Sequence, residues 1–441
     1  MTEMLILYLP YLLPVFAIGF YLFLREKKDR RNRRIKKQEE DAGRAEPPSL
    51  HPVIDESCCI GCESCIKACP EKVVLGIIGG KATLISPSHC IGHGACKESC
   101  PEDCISLVFG TEKRGIDIPF VKETFESNVP GIFLAGEIGG MGLIRNAVNQ
   151  GEQAMKSAGK HARACKKIKG VHDVIIVGAG PAGLAASLSA IEQKLDYLTL
   201  EQETIGGTVA HYPRGKVVMT QPAILPLAGK TTFTETTKEQ LLSFWQEVVR
   251  RYNVKAHYSE RVESIKSENG IFHVMTPKST YRSHAVLLTI GRRGTPRKLG
   301  VPGEELEKVV YHLTDPDQYK DKRVIVVGGG DSALEAAASI AEISTASVLL
   351  SYRGDSISRA KQKNRERIAT AEKSGRLMVA LGSNIVSISD NEILLNEKGG
   401  QSAIPNDYII VCVGGILPTA FLKDIGIEIE TMFGKAAGKV K

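Results

Sequence analysis

Between residues 4 and 24 the chain has no charged side chain, between 303 and 396 it has no cysteine, and of its eleven cysteines only Cys165 and Cys412 lie outside 58–104. Each shortage closes off a class of protein. Cysteines gathered into one short stretch do not make the spread framework of a disulfide-stapled secreted domain, and they point to metal in a reducing compartment. Outside one basic run the charges balance. The net charge is +7, and nine Lys and Arg sit in residues 25–37, REKKDRRNRRIKK, so the remainder is close to neutral and no nucleic-acid partner is expected. A cleaved signal peptide is also disfavoured, because the start carries Glu3 and the arginines follow the apolar run instead of preceding it.

That apolar run, MLILYLPYLLPVFAIGFYLFL at 4–24, has 21 residues, enough at about 1.5 Å per residue to cross a hydrocarbon core about 30 Å thick. It predicts a transmembrane helix, kinked at Pro10 and Pro14. The basic residues after Arg25 then place everything that follows in the cytoplasm, giving a single-pass membrane protein. Residues 25–52, basic, then acidic, then Pro47-Pro48, read as a hydrophilic tether.

Residues 59–104 hold two copies of a C-x2-C-x2-C-x3-C-P pattern, with histidine replacing one cysteine of the second. In the bacterial two-cluster arrangement three cysteines of a run wrap one cluster and the fourth ligates the other. Cys59, Cys62, Cys65 and Cys100 are therefore assigned to a first [4Fe-4S] cluster, and Cys90, Cys96 and Cys69 to a second that lacks one thiolate. His93 occupies the missing position, which leaves a His-ligated [4Fe-4S] or a [3Fe-4S] cluster open, with Cys104 as a further donor. Paired short cysteine spacings also suit zinc, but zinc has no need of the repeated C-x3-CP element. Cys58, Cys165 and Cys412 read as small apolar side chains. Residues 53–110 are expected to form a small α+β ferredoxin-like domain.

Length, at 441 residues, leaves room for about three domains. At 174–183 the chain reads VIIVGAGPAG, a β-branched strand entering Gly178, Gly180 and Gly183 ahead of an Ala-rich helix. Such a turn lets the backbone approach a pyrophosphate at a helix N-terminus. Glu201, closing the run YLTLE, is placed for a ribose hydroxyl pair. RVIVVGGGDSALEA at 323–336 repeats the turn with Gly328, Gly330 and Ala333. The strand after it ends without an acid but beside Arg353, which suits a 2'-phosphate and hence NADPH over NADH. The fold class is α/β, with two Rossmann-like domains, one for FAD and one for NAD(P).

GAGPAG with Glu201, GGT at 206–208, LLTIGRRGTPRKLGVPGE at 287–304, GGGDSALEAA at 328–337 and IIVCVGGILPTAFL at 409–422 together resemble flavoproteins of the thioredoxin reductase type. Within that type, GGTVAHYP is similar to bacillithiol disulfide reductase-like members. The resemblance covers about 170–441 and implies FAD contacts from Gly207. It also meets two departures. The type's redox-active CxxC is missing, since 303–396 holds no cysteine, which puts thioredoxin reduction out of reach. The type's closing segment, like TNVPGIFAAGD, is not near Lys441; it reads instead at 126–155, ESNVPGIFLAGEIGG…, with Gly136 and Glu137 at the flavin-facing turn. A circularly permuted FAD domain is inferred, over 111–302 with 397–441, around an NAD(P) domain at 303–396. Permutation is tolerable where the parent termini lie close together. His211 and Tyr212 are a packed loop pair or part of the flavin pocket.

Hydride carries two electrons and a cluster exchanges one, so flavin must stand between them. The reading is a membrane-anchored FAD-dependent NAD(P)H oxidoreductase passing electrons through iron-sulfur clusters to or from a redox partner: a ferredoxin, a quinone or a membrane electron-transfer protein. Two alternatives stay open, a bacillithiol-type low-molecular-weight disulfide reductase and a membrane-tethered redox sensor. No acid-base residue is assigned. The resemblance admits a homodimer.

Overall fold

The computed structural model describes all residues except 1, 43–44, 48–49, 91, 93, 113–114, 141, 220–223, 231–234, 293–295, 358–359, 417 and 437–441; the side chains of 2–15, 217, 219, 230, 235 and 435–436 are also outside the description. The chain divides into two compact units, one reaching Ile116 and resumed at Phe433, the other running from Asp117 to Met432.

The first unit opens with one helix, Thr2–Asp41. The tether expected over 25–52 is therefore helical as far as Asp41. Ion pairs one turn apart, Arg30–Glu26 at 2.6 Å and Arg33–Asp29 at 2.8 Å, support it. Polar anchors also dock it on the hairpin Leu75–Ile78/Lys81–Leu84: buried Asn32 donates to the Ile77 carbonyl at 2.8 Å, and Asp29 accepts the Gly79 N–H at 2.7 Å. Among the described residues no helix is long and apolar enough to cross a membrane. Phe16, Ile18, Phe20, Tyr21, Leu22, Phe23 and Leu24 are all exposed on this helix. A three-stranded sheet, in the order His51–Ile54, Ile105–Phe109, Lys435–Ala436, and the short helices Ser64–Ala68 and Ala95–Glu98 complete the unit.

The second unit is built around two large sheets. In the first, the strands run in the order Ala256–His257, Tyr197–Leu200, His172–Val177, Thr280–Leu288, Ile271–Met275, Ser264–Glu268, and Ile132–Leu134 also pairs with Thr280–Leu288. The last three residues of His172–Val177 and of Ile132–Leu134 both lie parallel to Val286–Leu288, so the transplanted segment joins the sheet that carries GAGPAG. Its helix, Ile144–Ala164, packs on Pro181–Glu192 so closely that a Cβ on Gly151 would fall 2.1 Å from the Ala182 carbonyl oxygen. Strand Ile429–Met432 pairs with Ile116–Pro119, and Phe120 donates to the Glu428 carbonyl at 2.8 Å, which ties the late chain to the segment leading into Ile132–Leu134.

The second sheet is wholly parallel, in the order Val309–Val310, Tyr408–Val411, Val324–Val327, Val348–Tyr352, Leu377–Leu381. Its central strands are buried on both faces, as parallel strands require. The boundary expected at 396/397 is corrected by this pairing. It falls inside the antiparallel ladder Glu392–Glu397/Gly400–Pro405, and Tyr408–Val411 beyond it belongs to the nicotinamide sheet through its register with Val324–Val327.

Candidate redox-cofactor sites

The cysteines separate into two cavities of similar size, about 340 and 360 Å³ of non-atom space with their mouths included. Cys59, Cys62, Cys65 and Cys100 line one, with Ile54, Ala82 and Ile105. Cys69, Cys90 and Cys96 line the other, with Glu71, Val74 and Leu107. Local backbone explains the grouping. The turn after the first cysteine of each run needs a left-handed glycine: Gly61 has φ +70°, and a Cβ there would strike the Gly80 carbonyl oxygen at 2.2 Å; Gly92 repeats the angle against Leu50. The following short helices carry Cys65 and Cys96 inward.

Burial pushes the Cys65 and Cys96 thiols up to about 11, reinforced by the neighbouring cysteines. Burial likewise raises Cys69 and Cys90, while a hydrogen bond with Ser64 lowers exposed Cys62. Donors that hold protons so firmly become thiolates together only when cations replace those protons, so the residues fit a metal cluster. The Ala82 N–H points at Cys59 Sγ, 3.4 Å away, and Lys81 donates to the Cys59 carbonyl at 2.6 Å; both groups favour the extra negative charge of a reduced cluster.

His93, expected as the fourth donor of the second site, lies outside the described residues. Cys104, the other candidate, lines the first cavity and is bonded to Cys58, so it is not available to the second, and Cys58 is not the unpaired small side chain expected. Glu71, which the cysteine spacing did not flag, supplies a carboxylate on the wall of the three-thiol cavity.

In the first dinucleotide domain, Gly178 has φ +106° under the Thr289 carbonyl, and a Cβ on Gly183 would fall 1.9 Å from the Gly178 oxygen. Gly180 caps the helix Pro181–Glu192 and has open space, its nearest neighbour being the Gly207 Cα, 3.9 Å from where a Cβ would sit. That opening at a helix N-terminus suits a pyrophosphate. Glu201 is buried and accepts the N–H of Ala179 at 2.6 Å and of Glu203 at 3.0 Å; burial raises its pKa against those bonds. Gly136 has φ +86°, its N–H bound by Gln150 at 2.9 Å, and a Cβ there would come 3.0 Å from the Ala182 Cβ. The structure thus brings the turn carrying Gly136 and half-buried Glu137 to the glycine turn of Gly178–Gly183. His211 pairs with Glu203 at 2.8 Å and stacks on His312 at 4.8 Å, while Tyr212 packs beside Trp245 and Leu241.

The nicotinamide domain repeats the device. Gly328 (φ +142°) packs under the Cys412 carbonyl, Gly330 is open at the N-cap of Asp331–Ile343, and Ala333 is fully buried against Gly328. Tyr352 covers Gly329 and Gly354, and Arg353, next in the chain, is exposed.

Two family models match: pyridine nucleotide-disulphide oxidoreductase over residues 175–435, and a 4Fe-4S dicluster domain over 51–101. Bacilliredoxin reductase Bdr of Bacillus subtilis is 29% identical over 269 residues, 59% of this chain and 82% of that protein. A ferredoxin–NADP reductase of Oceanobacillus iheyensis is 32% identical over 251 residues, 55% and 69% of the two chains. The solved bacillithiol disulfide reductase of Bacillus cereus superposes with a TM-score of 0.51 at 27% identity, covering 58% of this chain and 82% of that one. The chain belongs to the pyridine nucleotide-disulphide oxidoreductase family, as a FAD-dependent oxidoreductase that also carries a 4Fe-4S dicluster domain.

Proposed function

We propose that the protein moves electrons between NADPH and an external redox partner by way of FAD and both cysteine cages. The bound groups supply the change from two-electron hydride to one-electron carriage. The chain's residues would hold the nucleotide pyrophosphates at the open helix N-termini of Gly180 and Gly330, and Lys81 and the Ala82 N–H set the charge around the first cage. The carrying observation is covalent. The cluster-bearing unit is continuous in the chain with the flavin domain at both ends, through the paired strands Ile116–Pro119 and Ile429–Met432. Exposed Arg353 supports the 2'-phosphate preference.

The reading includes a single-pass anchor over 4–24, supported by its lack of charge and the uncovered side chains Phe16 to Leu24, with the redox units in the cytoplasm and a ferredoxin, a quinone or a membrane protein as partner. A disulfide reductase is the second reading, favoured by the likeness to bacilliredoxin reductase over 82% of that protein. Anaerobic titration with NADPH, following flavin absorbance and cluster EPR together, separates the two. Parallel reduction of flavin and clusters is expected. Flavin bleaching while the clusters stay oxidised at potentials NADPH can reach defeats the electron-transfer reading and leaves the disulfide reductase.

A further inference from the structure

A second redox element sits on the wall of the first cage. Strand pairing matches Ile54 with Ile105, and Asp55 donates its N–H to the Cys104 carbonyl at 2.9 Å. At this ladder end, where the Cys59 N–H also donates to the Asp55 carbonyl at 3.1 Å, the Cα atoms of Cys58 and Cys104 are 5.7 Å apart and the two residues are disulfide-bonded. Cys104 is 5% exposed and lines the cavity shared by Cys59, Cys62, Cys65 and Cys100. Cys58 is only half-buried and directly precedes the cage cysteine Cys59. One end of the bond therefore adjoins the cage and the other reaches solvent. Among the described residues it is the only disulfide, in a chain whose nicotinamide domain has no cysteine between 303 and 396.

We propose that Cys58 and Cys104 form a dithiol–disulfide relay, charged from the first cage and discharged to an external disulfide substrate. The proposal rests on the reading that NADPH electrons reach the cages. In charging, two electrons, arriving singly, and two protons break the Cys58–Cys104 bond to two thiols. In discharge, the Cys58 thiolate attacks one sulfur of the external disulfide, forming a mixed disulfide and releasing one thiol. Cys104 then attacks the Cys58 sulfur, which re-forms the internal bond and releases the second thiol. NADPH is oxidised overall and one external disulfide becomes two thiols. A purely structural staple would do none of this, and a reducing compartment would not sustain it.

The test uses the full-length holoprotein under anaerobic conditions, quenched in acid, alkylated with N-ethylmaleimide and analysed by peptide mass spectrometry. Oxidised protein should yield the Cys58–Cys104 linked peptide. NADPH should reduce that peptide at least tenfold as flavin and cluster signals change, with adducts on both cysteines. Cystine, a small disulfide, or insulin, a protein disulfide, should restore the link, and whichever does so names the source of the substrate. If the link persists while flavin and clusters are reduced, the relay is overturned and the electron-transfer reading stands. If NADPH leaves the clusters oxidised, that reading fails, and dithionite then tests the relay alone: loss of the link with cluster reduction supports it, and persistence overturns it. Failure of both disulfides to restore the link overturns the discharge step. Cys58→Ser and Cys104→Ser should keep the cluster EPR signal and take up two electrons fewer per chain. A signal lost in Cys104→Ser alone makes Cys104 an iron ligand and overturns the proposal.

Discussion

Gly180 and Gly183 sit three residues apart in one turn, and the structure gives them opposite reasons for being glycine. A methyl on Gly183 would lie 1.9 Å from the Gly178 carbonyl oxygen and 2.8 Å from Thr289 Oγ1, both held by the packing of strand against helix. Gly183→Ala must push helix Pro181–Glu192 off the sheet, at about 3 kcal/mol or more, the upper end of overpacking costs because the obstruction is backbone. Gly180→Ala meets nothing closer than 3.9 Å, at φ −73°, an angle any residue adopts. Its weaker N-cap costs about 0.5–1 kcal/mol, and the stiffer unfolded chain returns about 0.4–1 kcal/mol, so stability should hold within about 0.5 kcal/mol. The methyl would instead fill the space through which a pyrophosphate approaches the helix N-terminus. Gly180→Ala should therefore bind FAD at least about tenfold more weakly, a loss of about 1.4 kcal/mol, and Gly183→Ala should lose both flavin and fold. Flavin per chain after gel filtration and thermal melting of the FAD-free protein measure the two effects. Stoichiometric FAD in Gly180→Ala, or equal drops in melting temperature for both variants, would refute the assignment of this turn.

Four further outcomes follow from the same geometry. Burial raises the Glu201 pKa above its unfolded value, so the folded state binds the extra proton and stability of the FAD-free protein should fall as pH rises from about 4.5 through the raised value; Glu201→Gln should remove that slope in urea melts. Lys81→Met should lower the potential of the cluster held by Cys59, Cys62, Cys65 and Cys100 by about 60 mV, a factor of ten for one electron, in an EPR-monitored redox titration; an unchanged potential removes Lys81 from the tuning argument. Asn32→Ala leaves the Ile77 carbonyl without its buried donor and should cost about 1–3 kcal/mol of helix docking, seen as faster proteolysis between residues 25 and 41. Cys90→Ser removes one of the three described thiols of the second cavity and should abolish one cluster signal while sparing the other; loss of both would show that the cages do not form independently.

Features set by short-range stereochemistry were legible in the sequence. Glycine is demanded at Gly178 and Gly328 by positive φ and backbone contact, and the cysteines that spacing groups together line one cavity apiece. Features that depend on where a segment docks were not. Residues 25–41 have no apolar stripe to announce a packed helix, because Asn32 and Asp29 hold it by hydrogen bonds to the backbone of a hairpin more than forty residues away. The end of the nicotinamide domain was misplaced because Tyr408–Val411 follows an exposed strand, Gly400–Pro405, and only its register with Val324–Val327 shows which sheet it joins. The Cys58–Cys104 pair escaped notice because its partners are set by a two-strand ladder that spacing does not reveal.

Two cages, rather than one, have a consequence for electron accounting. A hydride brings two electrons, and a single one-electron site beside a flavin would leave half of each delivery on the flavin until a partner collected the first electron. Cavities of nearly equal size, one with four assigned thiols and one with three described thiols, offer places for both. Carboxylates stand on both walls, Glu63 and Glu102 at the first and Glu71 at the second, so lining charge does not rank the two cages. The Ala82 N–H on Cys59 Sγ and the Lys81 ammonium on the Cys59 carbonyl are the groups at the first cage that stabilise added negative charge, and they offset its two glutamates.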